Sequence, residues 1–354
     1  MSEWEKNVRK VVPYVPGEQP KLLDVIKLNT NENPYPPAPG VEKVLREFDV
    51  DTLRLYPDPL VSDLVKAIAD FYGLNENQVF TGVGSDDVLA MIFMTFFNSE
   101  KPLIFPDITY SFYDVWADML RIPYETIALD DDFRIKPKDY YRENGGVIFP
   151  NPNAPTGISV PVSEIERLVK SDRDRVVVVD EAYVDFGGES AIELVHKYDN
   201  ILVCQTFSKS RSFAGGRLGY GIGSPSLISD LNTVKYSTNP YNINSMTSSM
   251  GIGILSDEEY TIKNCKTIME NRSFTVKGLE EMGFKVLPSS ANFIFVSSDK
   301  IEGGEYYRKL KEKKILVRHF DKERISPWCR VSIGTKEQME AYLRATKEIL
   351  EEKA

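Results

Sequence analysis

Short runs of uninterrupted apolar residues alternate with longer stretches of helical period through the middle of the chain. Val79-Phe80-Thr81, Leu103-Ile104-Phe105, Val147-Ile148-Phe149, Val176-Val177-Val178-Val179 and Ile201-Leu202-Val203 are β-branched or aromatic at nearly every position, and each empties into a turn of glycine, proline or polar residues. A strand with one wet face alternates, whereas one that is apolar on both faces must be covered on both, the condition of a parallel sheet between helices. The intervening segments have helix spacing. V-L-A-M-I-F-M-T-F-F, starting at Val88, is apolar all round and predicts a buried helix; 113–120 predicts another; 60–72 carries apolar residues at 60, 61, 64, 65, 68 and 71, one helix face. Strand–helix alternation from about 78 to 223 predicts an α/β domain with a mostly parallel sheet.

The pattern changes on either side of that block. Residues 1–40 are rich in proline and asparagine, V-V-P-Y-V-P-G-E-Q-P and then L-N-T-N-E-N-P-Y-P-P-A-P-G, which precludes long helices and predicts an extended arm. Asn29, Asn31 and Asn33 beside Tyr35 suggest a packed, hydrogen-bonded segment rather than a frayed tail. Beyond Gly223, residues 224–250 lead to a helix expected over about 257–282. Short strands follow in G-F-K-V-L-P-S-S-A-N-F-I-F-V, K-I-L-V-R-H-F and W-C-R-V-S-I-G-T, and T-K-E-Q opens a last helix with a capping-box pattern. The expected organisation is an arm over 1–40 joined to the small domain, a large domain over 41–255 and a small α+β domain over 256–354.

Ligands of open α/β sheets sit beyond the carboxyl ends of the strands, so chemistry is sought there. One run closes on Asp180 with Tyr183 three residues on, and the next leads to Thr206, Ser208 and Lys209 with Arg217 beyond. Lysine as an imine-forming amine must shed a proton, which neighbouring cations such as Arg211 and Arg217 and partial burial promote. A lysine for an aldehyde, a carboxylate for a ring nitrogen and a donor for a ring hydroxylate are the set that pyridoxal phosphate requires. Gly82-Val83-Gly84-Ser85-Asp86 lies between a strand and a helix start, where unpaired N–H groups and the helix dipole attract an anion. It lacks the third glycine of the dinucleotide fingerprint and the lysine of the P-loop. With Ser208 and Arg217 it can complete a phosphate cup. Tyr110, at another strand end, offers a flat face for a ring. Among the later strands stand three polar residues, Asn292, Arg318 and Arg330, and an arginine fork suits a carboxylate or phosphate.

Composition narrows the partners. Of 354 residues, 42% are hydrophobic and 27% charged, and the net charge of −10 disfavours attraction to nucleic acid or an anionic membrane surface. Any phosphate must therefore meet local donors. Cys204, Cys265 and Cys329 have no metal-ligand spacing and the two histidines, His196 and His319, cannot form a metal cluster, so no metal is expected and the thiols suit a reducing compartment. The N-terminus has no apolar signal core and no run of about eighteen apolar residues follows, so the expected location is the cytoplasm.

V-V-V-D-E-A-Y, T-F-S-K-S, G-R-L-G and L-N-T-N-E-N-P together resemble the fold type I pyridoxal-phosphate aminotransferases, and within them the histidinol-phosphate aminotransferase family. The resemblance runs over nearly the whole chain. It implies a seven-stranded large domain, pyridoxal 5'-phosphate, and amino transfer between L-histidinol phosphate and 2-oxoglutarate, with catalytic Lys209, Asp180 and Tyr183. It implies a cofactor site of Gly84, Ser85, Asp86, Tyr110, Asn153, Thr206, Ser208 and Arg217, with Tyr56 of Y-P-D-P reaching across a homodimer interface. It places Tyr14, Asn33, Asn292, Arg318 and Arg330 at the substrate. The family usually reads N-N-P-T-G where this chain has N-A-P-T-G, so Ala154 stands at the asparagine that holds the ring oxygen and Asn153 is the candidate substitute. Arg54-Leu55 likewise replaces the usual asparagine and arginine before Tyr56. An aromatic amino-acid aminotransferase and a threonine-phosphate decarboxylase share the scaffold and stay open as alternatives; a nonenzymatic phosphate-binding module would leave Asp180, Tyr183 and Lys209 as coincidences.

Overall fold

The computed structural model describes residues 2–19 and 24–353. Residues 20–23 of the proline-rich arm lie outside the described residues. The apolar runs form a seven-stranded sheet in the order Val79–Gly82, Gly219–Gly223, Ile201–Thr206, Val177–Asp180, Gly146–Pro150, Leu103–Pro106 and Tyr124–Ile127. Gly219–Gly223 pairs antiparallel with both its neighbours, while every other pair is parallel. Val177, Val178, Val179, Ile201, Leu202 and Val203 have no solvent exposure, so both faces of the central strands are covered. Alternate residues go to two different cores: Val177, Val179 and Val203 to one, and Val178, Leu202 and Cys204 to the other, with the helix Ser85–Phe96. At roughly 1.5–3 kcal/mol per buried branched side chain, this double burial is what holds the parallel register.

A second, antiparallel sheet runs Arg318–His319, Cys329–Ser332, Phe293–Ser297, Lys285–Val286, with its own core against the helices Glu258–Glu281, Gly303–Glu312 and Lys336–Glu351. The arm joins this layer: Ile26–Lys27 pairs parallel with Ile315–Leu316, and Leu28 is buried in the second core. The expected capping box is present, Gln338 N donating to Thr335 Oγ1 (3.4 Å) and Thr335 N to Gln338 Oε1 (2.9 Å).

Two helices, Pro225–Thr238 and Ser245–Leu255, occupy the stretch for which the sequence pattern yields no element. Their starts carry ordinary signals, Ser224 before Pro225 and the Asn244 side chain accepting from Thr247 N at 2.8 Å. Their interiors, S-M-T-S-S-M-G-I-G-I-L in the second, have no single apolar stripe. Packing makes the helix: Gly253 and Gly40 of the helix Pro39–Glu47 touch backbone to backbone, and a Cβ on Gly40 would stand 2.3 Å from the Gly253 carbonyl oxygen.

Candidate active site

Five parallel strands point their carboxyl ends at one cleft. From them come Ser85 and Asp86, Thr109 and Tyr110, Pro150 and Ala154, Asp180 and Tyr183, and Thr206, Ser208 and Lys209. The second sheet contributes Arg318 and Arg330, and the arm contributes Tyr14, Asn29, Thr30, Asn31 and Glu32. Residues up to about 300 positions apart in sequence thus share one wall-to-wall site.

Lys209 sits in the turn after Ile201–Thr206. Its Nζ donates to the Thr30 carbonyl (3.1 Å) and stands 5.6 Å from the Tyr183 ring centroid. The turn is held from behind, because Asn33 Nδ2 donates to the carbonyls of Lys209 (3.1 Å) and Ser210 (3.2 Å). Asp180 is buried at the foot of the cleft, accepting from the Tyr113 hydroxyl on Oδ2 (2.9 Å) and from Ala182 N on Oδ1 (3.2 Å). Burial pushes its carboxyl up to about 6, against the two donors and Lys209, which favour the anion. Tyr113, at the start of the helix over 113–120, is fully buried, and it also orients the carboxylate. Burial and then Asp180 drive its phenol well above the ordinary range, so it remains a donor.

The anion cup lies at the N-terminus of Ser85–Phe96, whose cap, Gly84, takes φ 82°. A Cβ on Gly84 would stand 2.5 Å from the Arg217 guanidinium, so glycine lets the arginine close over the helix start. Arg217 donates to Asp86 Oδ2 (3.0 Å), and Asp86 Oδ1 accepts from Tyr110 (2.8 Å). Thr206 Oγ1 donates to Ser208 Oγ (3.0 Å) and accepts from Ser208 N (3.1 Å), so the two residues lining the cleft are tied to each other.

At the other end of the cleft, Arg330 Nη2 donates to the Asn29 carbonyl (3.0 Å), while its buried Nε has no partner. Burial lowers its pKa, and neither it nor Arg318 is paired with a carboxylate among the described residues. Arg318 instead holds the arm, donating to the carbonyls of Val15 (3.0 Å) and Pro16 (3.4 Å). Tyr14 consequently lies over the mouth, stacked on Phe112 at 4.2 Å.

Several residues expected at the site stand apart from the cleft wall. Asn33 braces the Lys209 turn, and Asn292 is fully buried with Nδ2 donating to the Asn31 carbonyl (2.9 Å). Asn153 commits its amide to tying its loop to the one after Leu103–Pro106, donating to the Ile108 carbonyl (3.0 Å) and Thr156 Oγ1 (3.2 Å) and accepting from Thr109 (3.2 Å). Ala154, next to it, faces the cleft. Tyr56 is 82% exposed, stacked on Tyr241 at 4.7 Å and away from the pocket. Asn31, whose amide donates to the Tyr183 hydroxyl (3.1 Å), is on the wall; the sequence marked it only as part of a hydrogen-bonded segment.

A buried carboxylate, a lysine and an anion cup around one cleft suit a cationic ring that bears an aldehyde and a phosphate, the arrangement of pyridoxal-phosphate-dependent enzymes. The chain belongs to the aminotransferase class I and II family, whose sequence profile it matches over residues 23–345. It is 47% identical over 350 residues to a histidinol-phosphate aminotransferase of Lactococcus lactis subsp. cremoris, covering 99% of this chain and 98% of that one. It is 49% identical over 347 residues to histidinol-phosphate aminotransferase 1 of Hydrogenovibrio crunogenus, covering 98% of each. The fold is that of solved relatives. The histidinol-phosphate aminotransferase from Clostridium acetobutylicum superposes with a TM-score of 0.85 at 23% identity, covering 93% of this chain and 100% of that one. The Sinorhizobium meliloti enzyme, solved in complex with pyridoxal-5'-phosphate, gives 0.84 at 23% over 93% and 92%.

Proposed function

We propose that this aminotransferase moves the amino group between L-histidinol phosphate and 2-oxoglutarate, as a cytoplasmic homodimer. The carrying observation is the pair of arginines without carboxylate partners, Arg318 and Arg330, set across the cleft from Lys209 and Asp180. The names of relatives at nearly half identity over almost the full chain support the same substrate. Histidinol phosphate has no α-carboxylate, so its phosphate is the anion that the guanidinium groups would take, and a buried arginine binds such a dianion strongly. 2-Oxoglutarate would present a carboxylate to the same forks. Tyr14 closes the mouth over the substrate, while Asn33 and Asn292 act by holding the Lys209 turn and the arm.

The donor set fits pyridoxal phosphate. Gly84, Ser85 and Asp86 at the helix start, with Thr206, Ser208 and Arg217, would hold its phosphate; Tyr110 would flank the ring; Asp180 would face the ring nitrogen and Tyr183 the ring oxygen. When bound, the cofactor supplies an aldehyde for the amine and an electron sink for the bond broken at the substrate's amino-bearing carbon. Lys209, whose amine the Thr30 carbonyl holds in the cleft, would then serve as the base that takes and returns that carbon's proton. Asp180, buried and held by the Tyr113 hydroxyl and the Ala182 N–H, would face the ring nitrogen as a carboxylate and would favour a proton there. Three free, buried cysteines agree with a reducing compartment, and among the described residues no helix is long and apolar enough to cross a membrane.

Steady-state kinetics with 2-oxoglutarate against histidinol phosphate, phenylalanine and threonine phosphate test the substrate. The expected order puts histidinol phosphate at least about tenfold ahead in kcat/KM, about 1.4 kcal/mol of transition-state stabilisation. A tenfold preference for phenylalanine, or carbon dioxide release from threonine phosphate, would replace this assignment.

A further inference from the structure

We propose that Asn31 is a positioning residue for the cleft phenol: it fixes the Tyr183 oxygen as an acceptor on the arm side, so that the phenol proton is delivered into the cleft. The inference rests on the reading of the cleft as the cofactor site, with Tyr183 toward the cofactor's ring oxygen. The donors around Asn31 leave little freedom. Its backbone N–H donates to Ser332 Oγ (2.8 Å), so the hydroxyl's single proton is left to donate to Asn31 Oδ1 (3.0 Å). With Oδ1 so placed, the other edge of the amide is Nδ2, which donates to Tyr183 Oη (3.1 Å). The Asn31 carbonyl accepts from Asn292 Nδ2 (2.9 Å). Each polar group of the residue is claimed, its exposure is 1%, and its backbone lies at φ 56°, a conformation that persists where the surroundings over-determine it.

Tyr183 can then turn its own proton only elsewhere. Lys209 Nζ, 5.6 Å from the ring centroid, donates to the Thr30 carbonyl, the Arg330 guanidinium offers no acceptor, Tyr110 commits its proton to Asp86, and Phe293 meets the ring edge-on at 5.0 Å. A ligand oxygen in the cleft is the acceptor left. Across from it, Ala154 has no polar side chain, Asn151 turns its amide into its own loop, and Asn153 gives its amide to the Ile108 carbonyl and Thr156 Oγ1. Tyr183 would therefore meet the ring oxygen, and Asn31 decides whether it would do so as a donor. Ser332 stands two residues beyond Arg330 on the strand Cys329–Ser332, so one face of one strand holds both the substrate arginine and the clamp on Asn31.

The test reads the purified holoenzyme, reconstituted with pyridoxal phosphate and without substrate, as the pH midpoint of its visible absorbance change. A donor to the ring oxygen stabilises its anion and lowers that midpoint. Asn31→Gly, which tolerates a positive φ, is expected to raise the midpoint by about one pH unit, the size of a hydrogen bond to a charged group. Tyr183→Phe is expected to raise it at least as far, and Asn31→Gly added to Tyr183→Phe to add nothing, because the amide acts through the phenol. Ser332→Ala, which frees the amide without touching it, is expected to shift the midpoint the same way by less, and it serves if Asn31→Gly does not fold. Wild-type midpoints in Asn31→Gly and Ser332→Ala while Tyr183→Phe shifts, or an equal Asn31→Gly shift with and without Tyr183, would overturn the inference. An unshifted Tyr183→Phe, or a colourless wild type, would instead remove the cofactor-site reading beneath it.

Discussion

At the scale of single residues, Asp180 carries a burial cost that its two hydrogen-bond donors and Lys209 offset only in part. In the folded protein its carboxyl is pushed by burial from 3.8 up to about 6, and that of the adjacent Glu181 from 4.5 to about 7, again by burial, against donors from Ser190, Ala191 and Gln205. A raised folded pKa means the folded state holds the proton more tightly than the unfolded state does. The stability that comes from holding it is present below the unfolded value and is lost as pH rises through the folded one, about 3 kcal/mol for each acid. Cofactor-free protein should therefore melt at falling temperature from about pH 4 to pH 7. The holoenzyme should not follow it at Asp180, so the melting-temperature gap between the two forms should widen over the upper part of that window. Asp180→Asn should flatten the slope of the cofactor-free protein, leaving the part due to Glu181, and should weaken cofactor retention. Differential scanning calorimetry at several pH values decides this; a cofactor-free melting temperature indifferent to pH between about 4 and 7 would contradict the burial argument.

At the scale of elements, what the sequence discloses depends on whether a segment's partner is water or protein. The strands at 103–106, 177–180 and 201–206 are legible because burial on both faces forces the positions ahead of each strand's polar end to be apolar. The last helix is legible because its cap is local. Thr335→Ala should remove about 1 kcal/mol by freeing the Gln338 N–H, with Thr335→Ser restoring most of it, as read from urea midpoints at an unchanged slope. Ser245–Leu255 is not legible, because its contact is a glycine-to-glycine approach to Gly40, more than 200 positions away, that leaves no periodic trace. The same holds within the site. Strand ends announce Asp180, Tyr183 and Lys209, since a polar residue after an apolar run stands out. Tyr113 and Asn31 do not stand out, because a tyrosine in an apolar helix reads as core and an asparagine in a proline-rich arm reads as turn. Sheet order has no local signature either: Gly219–Gly223 enters between Val79–Gly82 and Ile201–Thr206 by pairings that only the closed structure makes.

At the scale of the whole molecule, Tyr56 is informative for being out of place. It stacks on Tyr241 at the surface, and Val50, Leu53, Leu55 and Leu60 are exposed around it, an apolar patch that a lone chain has no reason to carry. In the proposed homodimer this patch would be covered and Tyr56 would reach the phosphate cup of the neighbouring subunit, so that each active site would draw on both chains. A two-fold dimer makes the consequence countable. Lys209→Ala removes the amine from the site on its own subunit, and Tyr56→Ala removes the phenol from the site on the other. Each variant alone should be severely impaired. After subunit exchange in equal mixture, half the dimers are hybrids, and each hybrid holds one site lacking both groups and one site lacking neither, so activity should recover to about a quarter of wild type. Light scattering should give twice the chain mass of 40.2 kDa. A fully active monomer, or a mixture that regains nothing although Tyr56→Ala alone is impaired and exchange is verified by mass, would place Tyr56 outside the active site and leave the patch to some other partner.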